Sequence, residues 1–150
     1  MEIVENSLEQ SLDSFLAQPL FCFLGTVSPA GEPRVSPLWY LWEDEQIWII
    51  AGEHRSYTDR VEQTPATALA VVDFAVHEGR VHHVGMRGRA EIVPLDQARV
   101  DRLLREYLGD EKEEWDPDFV DLDPVKWQFI RFSPETVVAR DQSFTPSLDR

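Results

Sequence analysis

Between Leu20 and Arg140 the chain is a succession of short apolar runs, each closed by a cluster of turn-forming residues. The breaks are Ser28-Pro29-Ala30-Gly31, Glu43-Asp44-Glu45, His77-Glu78-Gly79 and Ser133-Pro134-Glu135. Such clusters supply the dihedrals and local hydrogen bonds of tight turns. Parallel strands need long crossover connections, so runs joined this closely must pair antiparallel. The pattern predicts about seven strands, at 20–27, 34–42, 46–51, 66–73, 80–93, 125–132 and 136–140. With so many apolar residues on them, the economical arrangement is a sheet curled into a barrel, which removes exposed edges.

Helices interrupt this plan. Leu8, Leu12, Phe15 and Leu16 recur at helical spacing, so residues 1–18 are read as an N-terminal helical segment with its helix over 7–18, stopped by Pro19. Ser56 or Thr58 is positioned to cap a short helix that runs to Thr64 and ends at Pro65. Val100, Leu103, Leu104, Tyr107 and Leu108 form the stripe of a helix over 95–108, with Gly109 after it. A helical turn is expected within 115–124, and the tail from 141 to 150 reads as loose. The 150 residues make one domain with its core over 19–140.

A formal net charge of −14 repels nucleic-acid backbones and anionic membrane surfaces. No run is long and apolar enough to cross a bilayer, and the acidic start MEIVENSLEQ does not resemble an export signal, so the cytoplasm is the expected compartment. The single cysteine, Cys22, sits between Phe21 and Phe23 and reads as a buried structural residue. His77, His82 and His83 lack metal-ligand spacing, since adjacent strand residues face opposite ways.

Within this acidic chain, Arg34, Arg55 and Arg60 fall close together around a strand pair, and the second strand opens into Gly52-Glu53-His54-Arg55-Ser56-Tyr57. Guanidinium groups, a hydroxyl and the N–H groups of a helix start are the donors that a phosphate requires. Arg87 and Arg89 flank Gly88 on one strand face. Trp42 and Trp48 flank the acidic turn and are expected to pack across it, while Pro37 suits an edge or a bulge.

The order of these parts resembles the pyridoxamine 5′-phosphate oxidase-like, FMN-binding split-barrel family. FLGTVSPAGEPRVSPLWYLWEDEQIWIIAGEHRSYTDRVEQTPATALAVV is similar to its first half, VGMRGRAEIV with the following helix to its middle, and KWQFIRFSPETVVAR to its closing hairpin. The resemblance implies a six- to seven-stranded antiparallel split barrel, a homodimer, and FMN bound between subunits. It implies that Arg34, Val35, Ser36, Pro37 and Leu38 line the flavin through their backbone. Ile50 and Ala51 lie against its ring or ribityl chain, and Arg55, Ser56 and Tyr57 face its phosphate. Trp127 is expected to touch the cofactor of the partner subunit. Members commonly carry lysine where Tyr57 stands, and the oxidase proper has another where Trp39 stands. Here the only lysines are Lys112 and Lys126, so any phosphate falls to arginine: Arg34, Arg55, Arg60 or Arg87. The expected function is FMN-dependent oxidoreduction of a small molecule. A deazaflavin (F420)-dependent reductase, a non-catalytic flavin-binding or stress-response protein, and a barrel without cofactor that serves as an interaction module are the alternatives.

Overall fold

A computed structural model describes residues 1–147. It contains eight strands: β1 (Glu2–Asn6), β2 (Cys22–Val27), β3 (Pro33–Leu38), β4 (Leu41–Glu43), β5 (Gln46–Gly52), β6 (Ala66–Ala75), β7 (Arg80–Pro94) and β8 (Trp127–Asp141). Three α-helices intervene: α1 (Leu12–Leu16), α2 (Ser56–Gln63) and α3 (Gln97–Leu108). The strands pair in the order β3-β2-β6-β7-β8-β5-β4, all antiparallel, while β1 adds to β8 in parallel. The two ends of this order, β3 and β4, are consecutive in the chain and separated by Trp39 and Tyr40 alone. The sheet therefore curls until its edges are two parts of one segment, split at that dipeptide.

The turn at Asp44 and Glu45 places both residues at positive φ, 56° and 55°, the backbone a two-residue hairpin of right-handed twist requires. It does so without glycine or asparagine. Arg99 and Arg102 of α3 pair with Glu43 and Asp44 around it, which offsets the repulsion of three consecutive carboxylates.

Several expectations change. Residues 2–6 form β1 rather than part of a helix, and the N-terminal helix shrinks to Leu12–Leu16, capped by Ser11. The expected strand over 34–42 breaks into β3 and β4. The expected closing hairpin is one continuous strand, β8. Its first part pairs with β5 and its second with β1, and the change of partner coincides with Ser133-Pro134-Glu135. There the register with β7 shifts by a bulge at Arg87/Gly88, so proline, which has no N–H to donate, occupies an interrupted part of the ladder. A Cβ on Gly88 would stand 2.1 Å from the Ser133 carbonyl oxygen, so only glycine fits. The tail is ordered beyond β8: Gln142 and Phe144 donate to the carbonyls of Val81 and Gly79; residues 148–150 of the predicted loose tail lie outside the described residues.

Two apolar cores result. Leu24, Ile47, Ile49, Val71, Val84, Ile130 and Phe132 fill the barrel, and Phe15 and Leu16 of α1 plug it. On the other face of β4, β5 and β8, α3 packs Val100, Leu103 and Leu104 over Leu41, Trp48, Phe129 and Trp115. Thus β5 is covered on both faces. Trp42 and Trp48 do not pack across the turn: Trp42 borders the barrel core and donates to Asp13 at 2.8 Å, while Trp48 lies under α3. Opposite α3 no described element covers the sheet. Val35 is 68% exposed and Phe23 38%.

Candidate functional site

The end of β5 and the start of α2 are held by short-range bonds. The Glu53 amide donates to the Lys126 carbonyl at 2.9 Å, and Thr58 Oγ1 donates to the Gly52 carbonyl at 3.0 Å. His54 turns the chain at φ 64°. The N-cap is Arg55, whose side chain makes no capping bond; Ser56 is the first helical residue, and Thr58 bonds backward. The expected Ser or Thr cap is therefore absent. A helix start leaves several N–H groups without intrahelical acceptors, and here no side-chain oxygen takes the cap position. Those donors, with the positive end of the helix dipole, attract an anion.

Arg55 folds back over Gly52. A Cβ built on Gly52 would meet Arg55 Cγ and the ring of Trp127, each at 3.4 Å. Trp127 opens β8 directly opposite Gly52, so an arginine, an indole and a helix start converge at one corner. Tyr57 is half-buried against the barrel core. Burial raises its phenol pKa, with the charge of Arg55 acting in the opposite direction.

From this corner a hollow of about 610 Å³ runs toward α3. Pro37, Leu38, Ile50 and Trp127, four of the predicted contacts, line it. Phe21, Trp39, Leu103, Leu104, Asp118, Phe119 and Leu122 complete the wall. The sequence reading assigns α3's apolar stripe only to the core, because periodicity reports burial and does not distinguish a core from the wall of a cavity. Trp39 is fixed by stacking on Tyr107, centroids 4.7 Å apart and 6° from parallel, with Phe119 at 5.6 Å.

Other predicted residues lie elsewhere. Ala51 is wholly buried in the barrel core. Ser36 is half-buried opposite Leu24. Arg34, Val35 and Arg87 line a separate shallow depression on the bare side of the sheet, about 640 Å³, with Thr26, Thr67 and Glu135. The arginines thus divide between the α2 corner (Arg55 and Arg60) and the bare face (Arg34 and Arg87).

These arginines share one property. Arg80, Arg99, Arg102, Arg131 and Arg140 each pair with a carboxylate. Among the described residues, Arg34, Arg55, Arg60 and Arg87 have no carboxylate within 4.0 Å, despite the acidic composition, and Arg60 Nε is buried without a partner. Arg89 and Arg105 are also unpaired. Cys22 is sealed in the core, its thiol pKa pushed up to about 12 by burial. No cluster of three or more His, Cys, Asp and Glu residues suited to a metal occurs among the described residues, and no helix is long and apolar enough to cross a membrane.

A family model described as pyridoxamine 5′-phosphate oxidase matches residues 8–136. No curated protein matches the chain. Among solved structures, an F420 reductase is 27% identical at a TM-score of 0.66, covering 87% of this chain and 98% of its own. A conserved hypothetical protein from Mycobacterium tuberculosis is 19% identical at a TM-score of 0.75, covering 95% of this chain and 90% of its own. A FAD-binding protein from Mycobacterium smegmatis is 14% identical at a TM-score of 0.61, covering 90% of this chain and 98% of its own. The last two show the split-barrel fold alone.

Proposed function

The chain belongs to the pyridoxamine 5′-phosphate oxidase family, and from that premise we propose that it is an oxidoreductase that binds FMN at the corner between β5, α2 and β8. The observation that carries this reading is the unpaired state of Arg55 beside an uncapped helix start, in a chain with a formal net charge of −14. An exposed arginine in so acidic a molecule has carboxylates to spare. One held away from them, over Gly52 and Trp127, is arranged for an external anion.

In this reading Arg55 and the first N–H groups of α2 hold the phosphate, and the hydroxyl of Ser56 adds a donor. Pro37, Leu38 and Ile50 shape the apolar wall for the ring, and Trp127 stands at the junction of the two. FMN, when bound, supplies the acceptor and donor of electrons or hydride for a small-molecule substrate. The protein's own work is to bind, orient and exclude water, and no side chain is assigned as an acid or base.

The family reading also makes the bare face a subunit interface. Phe23, Val35 and Val4 surround Gly25, Ala68, Ala70 and Gly85 there. A broad apolar surface with small residues at its centre admits close approach of a second copy. A homodimer formed on it would bring Arg34 and Arg87 to the boundary between subunits.

The 27% identity to an F420 reductase supports a second reading, in which the cofactor is a deazaflavin. The absorbance spectrum of the purified protein, followed by titration of the colourless protein with FMN and with F420 in parallel, separates the two. FMN released on denaturation, or saturable FMN binding in preference to F420, is the expected result. Preference for F420 selects the second reading, and saturation by neither removes both.

A further inference from the structure

We infer that residues 116–122 form a strap that opens as a unit and controls access from solvent to the hollow beneath it. The opening stands on the structure alone; only the identity of what passes rests on the reading above.

Most of the hollow's wall is regular structure: β3, β5, α3 and β8 supply Leu38, Ile50, Leu104 and Trp127. Asp118, Phe119 and Leu122 come instead from a segment without strand or α-helix. Both ends of that segment are fixed. At one end Trp115 is buried in the core under α3, and its Nε1 donates to the Gly109 carbonyl at 2.9 Å. At the other the Asp123 carbonyl accepts from the amides of Lys126 and Trp127, at 3.0 and 2.9 Å.

Between these anchors the chain bonds only to itself. The amides of Phe119 and Val120 donate to the carbonyls of Asp116 and Pro117, and the Asp118 amide donates to Asp116 Oδ1. Among the described residues, 116–122 exchange no hydrogen bond or ion pair with the rest of the molecule. Side-chain packing alone holds the segment down: Phe119 against Trp39, centroids 5.6 Å apart, with Val120 and Leu122 against the α3 core. Asp121 bends the chain at φ 56°, a conformation unfavourable for a residue with a Cβ. Asp116, Asp118 and Asp121 repel one another along it, with no cation paired to any of them among the described residues. A segment with local bonds, few apolar contacts and internal repulsion belongs to the low-stability end of a fold, so it opens while the sheet stays intact.

The test is labelling of the full chain with N-ethylmaleimide, read by mass spectrometry. Cys22, sealed in the barrel core, reports global unfolding. Leu104 lines the hollow yet is 2% exposed, so Leu104→Cys puts a thiol behind the strap. That thiol is expected to react about tenfold faster than Cys22 in native buffer. Val120→Ser loosens the grip on α3 without altering the hollow's lining. Added to Leu104→Cys, it is expected to speed labelling about threefold and to leave Cys22 unchanged. Leu103→Cys, on the same buried wall, takes the place of Leu104→Cys should the latter fail to melt cooperatively. A new thiol no faster than Cys22, or one indifferent to Val120→Ser, overturns the inference. Stopped-flow FMN binding keeps the two proposals apart. A gate predicts that Val120→Ser raises the association and dissociation rates together, by about threefold each. Accelerated labelling without FMN binding defeats only the cofactor reading; saturable FMN binding with labelling and both rates unmoved by Val120→Ser defeats only the strap.

Discussion

The hydroxyl of Tyr107 lies 3.2 Å from both the amide nitrogen and the carbonyl oxygen of Tyr40, and 2.6 Å from the carbonyl of Leu20. Tyr40 is where the strand over 33–43 leaves β2 and passes to β5, so its backbone belongs to neither ladder. A side chain from α3 supplies what the sheet does not. The hydroxyl accepts from the Tyr40 amide and donates toward Leu20, and its ring supports Trp39. The same residue thus closes the split in the barrel and sets one wall of the hollow.

Tyr107→Phe tests that relationship. The phenyl ring keeps the stack on Trp39, while the Tyr40 amide and the Leu20 carbonyl lose their partner. Leaving such groups unsatisfied costs about 1–3 kcal/mol. Urea unfolding is expected to show a fall of that size with unchanged m-value. A midpoint equal to wild type would mean that water replaces the hydroxyl and that the latch contributes nothing.

This latch explains what was legible in the sequence and what was not. The strands announce themselves because apolar alternation and turn residues are local signals. The break at Trp39-Tyr40 carries no such signal; its cause is a tyrosine far along the chain. β1 was hidden for a related reason, every residue of it being solvent-exposed and its pairing with β8 parallel. Ser133-Pro134-Glu135 has turn chemistry, yet forms a bulge because Gly88 permits close approach from the neighbouring strand. At the site, Arg55 and Trp127 are legible as candidates from the resemblance, but their meeting over Gly52 is a product of β5–β8 register. Phe119 and Leu122 are ordinary apolar residues in an irregular segment, and nothing local marks them as cavity walls.

The glycines of β7 separate backbone approach from surface shape. Gly88→Ala would place its Cβ 2.1 Å from the Ser133 oxygen and 3.0 Å from Pro134 Cα. Backbone must move, and overpacking of this kind costs about 1–3 kcal/mol. Gly85→Ala meets nothing within 4 Å in a single chain. Thermal unfolding of dilute protein is expected to show a clear loss for the first variant and little change for the second. Equal losses would contradict the bulge.

Glu106 provides a pH-dependent test. Its carboxyl pKa is pushed up to about 6, first by burial and second by the charge of Glu43. The folded state therefore binds the proton more tightly than the unfolded state, and stability falls as pH rises between about 4.5 and about 6, staying lower above that range. Glu106→Gln removes the penalty. Its melting temperature is expected to exceed wild type at about pH 7.5 and to converge with it near pH 4. A constant difference at both pH values would show that the substitution acts through packing instead.

The proposed subunit interface predicts a dimer that depends on the bare face. Phe23→Glu puts a charge among Val35, Ala70 and Gly85 without touching the barrel core, since Phe23 points outward from β2. Desolvating that carboxylate against a second copy is unfavourable. Sedimentation velocity is expected to show a dimer for wild type and a folded monomer for the variant. A monomeric wild type at micromolar concentration would remove the interface.

Arg55 and Arg105 form the decisive pair for the cofactor. Both are exposed and lack a carboxylate partner among the described residues, and they carry the same charge. Only Arg55 stands at a helix start beside Trp127; Arg105 sits in the last turn of α3. If affinity for FMN came from net charge, the two alanine variants would weaken binding equally, and salt would abolish the difference from wild type. If a directed charge-assisted hydrogen bond holds the phosphate, Arg55→Ala loses about 1–3 kcal/mol while Arg105→Ala stays near wild type. Titration with riboflavin, which has the ring without the phosphate, completes the argument: its affinity is expected to be indifferent to Arg55. Should riboflavin weaken as much as FMN does in Arg55→Ala, the arginine supports the ring or the fold of the corner, and the phosphate must be sought at Arg34 and Arg87.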